Sequence, residues 1–151
     1  MAVRTQGDLR RFYQRKRKRG LHHLSAVTAN LRAHAAQLPR DDEVVTTVIT
    51  YEEQTRGWLG YAAKSRSLDH QIKAYGRLKR HLLAYLKIEV LDFDVAVAGE
   101  YQRLVDLRLR IGSSDLKIAA TALVHHATLL SRNIRDFDRV PGLTVEDWTK
   151  A

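Results

Sequence analysis

The chain has no cysteine among its 151 residues. Neither a disulfide framework nor a thiolate metal site is open to it, and an intracellular setting is the natural expectation. Long apolar runs are missing too. None reaches the length of a bilayer span, and the basic N-terminus leads into no apolar signal core. A soluble, cytoplasmic protein with no membrane contact is therefore expected. Also absent are a Gly-rich phosphate loop, a GxSxG turn and an HExxH pair, so nucleotide kinase and serine hydrolase readings have no support.

What is present is ordinary in bulk and uneven in charge. Hydrophobic residues make up 44% of the chain and charged residues 28%, the balance of a globular protein, and the length suits a single domain with a sizeable core. Lys and Arg exceed Asp and Glu by 26 to 17, a net charge of +9. That surplus favours polyanions, nucleic acid first among them. Arg4, Arg10, Arg11, Arg15, Lys16, Arg17, Lys18 and Arg19 crowd the first twenty residues, with only Asp8 against them. The organisation expected is a basic, flexible N-terminal segment over 1–20 and one domain over 21–151. A block of like charge is commonly a solvated tail. Phe12 and Tyr13 beside it are also suited to stacking on bases.

After Gly20, Leu24, Val27, Leu31, Ala35 and Leu38 recur at helical spacing until Pro39 stops the pattern. EVVTTVIT (43–50) is β-branched and reads as a buried strand. A helix is expected over 50–64, and another from Leu68, with Leu68, Ile72, Tyr75, Lys79, Leu82 and Leu86 on one face. IEVLDF (88–93) reads as a strand, 94–109 as a helix ending at Gly112, and the stretch from Asp115 as a nearly all-apolar helix buried on most sides. ATLLS (127–131) is a short strand and LTVEDW (143–148) a last edge strand. Strands alternating with helices argue for an α/β fold with a mainly parallel sheet, whose ligands gather at the carboxyl ends of the strands.

Glu53, Asp115, Asn133 and Asp136 fall where that rule places ligands. Carboxylates brought together repel unless a cation lies between them, and hard oxygen donors suit Mg²⁺ or Mn²⁺. Each position also has a structural explanation. Thr50 and Glu53 fit a capping box; Ser114 is able to cap the next helix, with Asp115 in its first turn; Asn133 and Asp136 are common turn formers. His125-His126 suits a helix C-terminus, and the adjacent His22-His23 pair is not spaced to share one helical face.

The segments VVTTVITYEEQTRG and IGSSDLKIAATALVHHATLLSRNIRDFDRVPGLTVEDW resemble the PIN-domain proteins, in particular VapC-type toxins of toxin–antitoxin pairs. The resemblance runs from about Leu24 to Trp148. A T-x-x-E motif is met by Thr50 and Glu53, with Gly57 beyond it. A G-x-x-D-x-x-I-A motif is met by Gly112, Asp115, Ile118 and Ala119. A T-x-N-x-x-D-F motif is met by Ser131, Asn133, Asp136 and Phe137, with serine in place of threonine. The resemblance implies a three-layer α/β/α sandwich and an Mg²⁺- or Mn²⁺-dependent ribonuclease restrained by an antitoxin. Glu53, Asp115 and Asp136 would hold the metal or its waters, assisted by Asn133; Arg56 and Arg132 are candidates for contact with RNA phosphate.

The N-terminus departs from this pattern. The family's first strand ends in an essential aspartate, typically within LDTDHLS. The corresponding stretch here, anchored on His23-Leu24-Ser25, is RGLHHLS, with Gly20 at the first acidic position and His22 at the second. RFYQRKRKRG replaces the apolar strand and is a poor candidate for the centre of a parallel sheet. The first central strand is thus expected to be missing or altered, and unpaired strand edges would favour a homodimer. Two further readings follow: a degenerate PIN domain that binds RNA or an antitoxin without cleaving, and a basic tail that binds nucleic acid by charge alone.

Overall fold

The computed structural model describes residues 2–3, 10–14, 33–34, 36–37 and 43–148. Six strands are present among them: β1 (Ala2–Val3), β2 (Arg10–Gln14), β3 (Glu43–Thr47), β4 (Val90–Leu91), β5 (Ala127–Ser131) and β6 (Val145–Glu146). Five helices accompany them: α1 (Val48–Ala63), α2 (Leu68–Tyr85), α3 (Val95–Asp106), α4 (Ser113–Val124) and α5 (Ile134–Phe137). The sheet runs β1-β3-β2-β5-β6, with β4 also on β3, and every pairing is parallel except that of β1 with β3. This is the α/β sandwich with a mainly parallel sheet that the alternating pattern predicts.

The central position belongs to β2. Arg10 through Gln14 pair in parallel with Ala127 through Ser131 on one side, while Arg11 and Phe12 pair with Val44 and Val45 on the other. The central strand is therefore altered rather than missing, and the expectation that this basic stretch is unsuited to the middle of the sheet is corrected. Ladder bonds join backbone groups whatever the side chains carry, and Phe12-Tyr13 favours extended backbone. The strand also removes the open edges on which the homodimer expectation rested. Of the amphipathic helix expected over 24–38, only residues 33, 34, 36 and 37 are described; the first three are helical and Gln37 lies in a turn.

Two flanking strands supply the core. All five residues of β5 are buried, as expected for a strand covered on both faces. Val45 of β3 is fully buried, and Leu129, Ile118, Leu104, Val97 and Phe137 pack with it in one cluster. Helix α4 contributes Leu116, Ile118, Ala119, Ala120 and Ala122, all buried. Its small side chains let it lie close against α3 and β5.

Several boundaries shift, each for a local reason. The strand expected over 43–50 ends at Thr47, because Thr47 turns the chain into α1 by accepting a hydrogen bond from the Thr50 N–H at 3.0 Å. Helix α3 stops at Asp106 rather than 109, and Arg108, not Gly112, takes the left-handed turn with φ 51°. Gly112 is instead the N-cap of α4, at an ordinary φ of −62°. The strands expected over 88–93 and 143–148 shorten to two residues each, with β6 on the edge of the sheet beside β5. The apolar face of α2 is the largest surprise. Leu68, Ile72, Tyr75, Leu82 and Leu86 are exposed, while Ala74 and His81 are the buried positions.

Candidate active site

Strand order locates the site. From β2 the chain moves outward to β3 and β4, then returns to the other side of β2 for β5 and β6. In parallel sheets the crevice at such a reversal, beyond the carboxyl ends of the strands, is where ligands bind. Four sequence-predicted residues lie on elements that open at this edge. Glu53 is in the second turn of α1, just after β3; Asn133 and Asp136 follow β5; and Asp115 is in the first turn of α4, which runs back to β5.

The local geometry changes the status of Glu53. Thr47, not Thr50, caps α1, and Thr50 is buried inside the first turn with its hydroxyl 3.0 Å from that of Thr47. A capping box between Thr50 and Glu53 is thereby ruled out. Glu53 is half-buried and has no part in ending the strand.

Asp115 is 6% exposed, an unusual depth for a carboxylate. Its place in the first turn of α4 sets its charge near the positive end of the helix dipole. Ser114 does not cap this helix, because the N-cap is Gly112 and makes no side-chain capping bond. A Cβ on Gly112 would meet nothing within 4 Å, so the approach to this helix end is open.

Asn133 and Asp136 form a joined unit. Ser131 Oγ accepts from the Asn133 N–H at 3.0 Å, and Asn133 Nδ2 donates to Asp136 Oδ2 at 2.6 Å. The serine hydroxyl thus turns the chain out of β5 as a threonine hydroxyl would, and the amide fixes one oxygen of the acid. Both side chains are half-buried.

Among the described residues, no group of three or more His, Asp or Glu side chains stands in an arrangement that could hold a metal ion. The donors are chemically suited to a hard divalent cation, but Glu53, Asp115 and Asp136 do not make a complete cage, and no catalytic step is derived through a metal. The strand that should add an acid ends in Gln14, opposite Ser131. Asp8, Gly20 and His22 lie outside the described residues.

Of the candidate phosphate contacts, Arg56 is exposed and its Nε donates to Glu52 Oε1 at 2.9 Å on the surface of α1. Arg132 is exposed beside β5. A different cation, Lys117, is more firmly held. Its Nζ lies 5.7 Å from the Phe93 ring centre and 5.6 Å from that of Tyr101, on the helix that carries Asp115. In sequence it looked only like a polar break in an apolar helix; the signal available was the aromatic pair, Phe93 after β4 and Tyr101 in α3.

The PIN domain family profile matches residues 9–143, a span that takes in β2 as well as all three motif regions. The chain belongs to the PIN-domain family. Ribonuclease VapC1 of Haemophilus influenzae is 29% identical to this PIN domain over 119 residues, 76% of this chain and 81% of the relative. Ribonuclease VapC2 of Rickettsia felis is 37% identical over 68 residues, 42% of this chain and 51% of the relative. The matched region thus spans about half the length of the second protein. Among solved structures, VapBC-1 from nontypeable Haemophilus influenzae aligns with a TM-score of 0.65 at 27% identity, covering 81% of this chain and 87% of that one. VapBC2 from Rickettsia felis, bound to a DNA fragment from their promoter, aligns with a TM-score of 0.61 at 26% identity, covering 85% and 89%. Among the described residues of this PIN domain, no helix is long and apolar enough to cross a membrane.

Proposed function

We propose that this PIN domain is an endoribonuclease of the VapC toxin type, hydrolysing RNA phosphodiester bonds in the cytoplasm and restrained by a cognate antitoxin. The observation that carries the proposal is the buried Asp115 at the head of α4, on the same sheet edge as Glu53 and the Asn133–Asp136 pair. Support also comes from relatives named as ribonucleases and from neighbours solved as VapBC complexes. The net charge of +9 favours a polyanionic substrate.

In this proposal Glu53, Asp115 and Asp136 are the metal-binding carboxylates, and Asn133 orients Asp136. The cofactor is Mg²⁺ or Mn²⁺, because carboxylate oxygens are the ligands those ions prefer. Since the described residues give an incomplete cage, the RNA itself has to add ligands to it.

The test is cleavage of structured and unstructured RNA with Mg²⁺, with Mn²⁺ and with EDTA, beside Asp115→Asn. Metal-dependent cleavage that falls on the order of a hundredfold or more in the variant supports the proposal. Wild-type cleavage by a folded Asp115→Asn protein would sink the site. A folded wild type that binds RNA or an antitoxin but cleaves nothing would make the chain a binding module.

A further inference from the structure

We propose that an arginine patch beside the acidic edge holds the sugar–phosphate backbone of the RNA and carries it past the carboxylates. This deepens the ribonuclease proposal and rests on it for the choice of RNA. Two short segments make the patch: the turn from α3 to α4, with Arg108 and Arg110, and the chain leaving β5, with Arg132, Arg135 and Arg139. Each adjoins a candidate acid. Asp115 lies five residues beyond Arg110, and Asp136 lies between Arg135 and Arg139.

One contact ties the two segments together. Arg139 Nη1 donates to the Arg110 carbonyl at 3.3 Å, while the Arg139 N–H reaches the Asp136 carbonyl at 3.4 Å. A guanidinium that meets a neutral oxygen keeps its full charge, so the contact gathers cations without cancelling them. All five arginines are exposed. Among the described residues none of them has an ion-pair partner, whereas Arg56 and Arg103 are each paired with a glutamate on their own helix. The nearby exposed acids are Asp106 and Asp138, so the surplus stays positive. Arg108 holds its left-handed turn at φ 51°, a conformation that glycine adopts without strain and arginine does not. The turn keeps a cation where its backbone favours a residue with no side chain.

The charge pattern selects a phosphate backbone. A phosphodiester brought against Glu53, Asp115 and Asp136 is repelled by them, so the energy that holds it there has to come from neighbouring phosphates bound to cations. Arginine's planar fork fits phosphate oxygens two at a time. The patch also lacks an exposed ring: Phe137 is the one aromatic residue in 107–111 and 132–139, and it is fully buried. Bases find no ring to stack on here, so the surface grips backbone without reading sequence.

Fluorescence anisotropy of labelled single-stranded RNA on the full chain carrying Asp115→Asn, in EDTA, reads binding apart from cleavage. Arg110→Gln with Arg135→Gln should weaken binding on the order of tenfold and lower the slope of log affinity against log salt by about 1.4, equally for RNAs of different sequence. Arg66→Gln with Arg80→Gln removes the same charge from exposed sites on and before α2 and should cost less than about threefold. Arg108→Gly should weaken binding and leave the melting temperature no lower. Equal losses from the two pairs would reduce the effect to net charge and overturn the patch. RNA affinity indifferent to Arg110 and Arg135 would overturn it too, and polyglutamate competing as well as RNA of equal charge would assign the surface to an acidic protein instead. A wild type that binds RNA through these arginines and cleaves nothing would sink the ribonuclease proposal and leave the patch standing.

Discussion

Thr47 accepts the Thr50 N–H at 3.0 Å, and this bond starts α1 three residues before the first T-x-x-E residue. Thr47→Ala should cost about 1 kcal/mol of stability, the usual worth of an N-cap. Glu53→Gln should leave stability within about 0.5 kcal/mol of wild type, as at a position with no side-chain hydrogen bond among the described residues. Urea unfolding of the two variants checks this. A larger loss from Glu53→Gln than from Thr47→Ala would restore the capping box.

Asn133 and Asp136 share a hydrogen bond of 2.6 Å. Asn133→Ala should lower stability by about 1 kcal/mol and reduce RNA cleavage by freeing Asp136 to turn. A double-mutant cycle with Asp136→Ala measures the coupling. Strict additivity would mean that the two act separately.

His81 is buried between α1 and α2, stacked on Tyr51 at 5.5 Å, edge-on to Tyr85 at 4.7 Å, with Nε2 3.0 Å from Thr55 Oγ1. Burial lowers its pKa from the ordinary 6.5. The unfolded chain therefore binds a proton more readily than the folded one. This contribution to stability is complete above the unfolded pKa and is lost as pH falls through it toward the folded value. Melting at about pH 7.5 and about pH 5 should show a larger drop for wild type than for His81→Gln, which does not titrate. Equal drops would assign the acid sensitivity elsewhere.

Thr128 is fully buried in β5, and its hydroxyl has no hydrogen-bond partner among the described residues. Thr128→Val keeps the shape and removes the stranded hydroxyl. It should raise stability by about 1 kcal/mol in urea unfolding. A loss of that size would show that the hydroxyl is satisfied in solution.

Much of this fold was legible because period and burial agreed. β5 reads as a short strand and is buried throughout, and α4 reads as apolar on most sides and is buried on most sides. The start of α1 was misplaced because Thr47 and Thr50 are both good caps, and only backbone geometry chooses between them. For α2, periodicity identified the apolar face but carried no information on what that face would meet. The strand at Arg10–Gln14 was hidden because composition speaks for side chains, whereas ladder bonds belong to the backbone. Of the site, the motif spacings placed Glu53, Asp115, Asn133 and Asp136 on one sheet edge. The depth of Asp115 and the ring-held Lys117 depend on contacts between distant segments, which no local pattern displays.

The central place of β2 also governs the order in which the molecule can be assembled. β2 precedes β3 and β4 in the chain, yet the partner that gives it most of its ladder, β5, follows only after all of them. Pairings between such distant segments form slowly. Until β5 is available the sheet has no completed middle, and the edge that gathers the acidic residues does not exist.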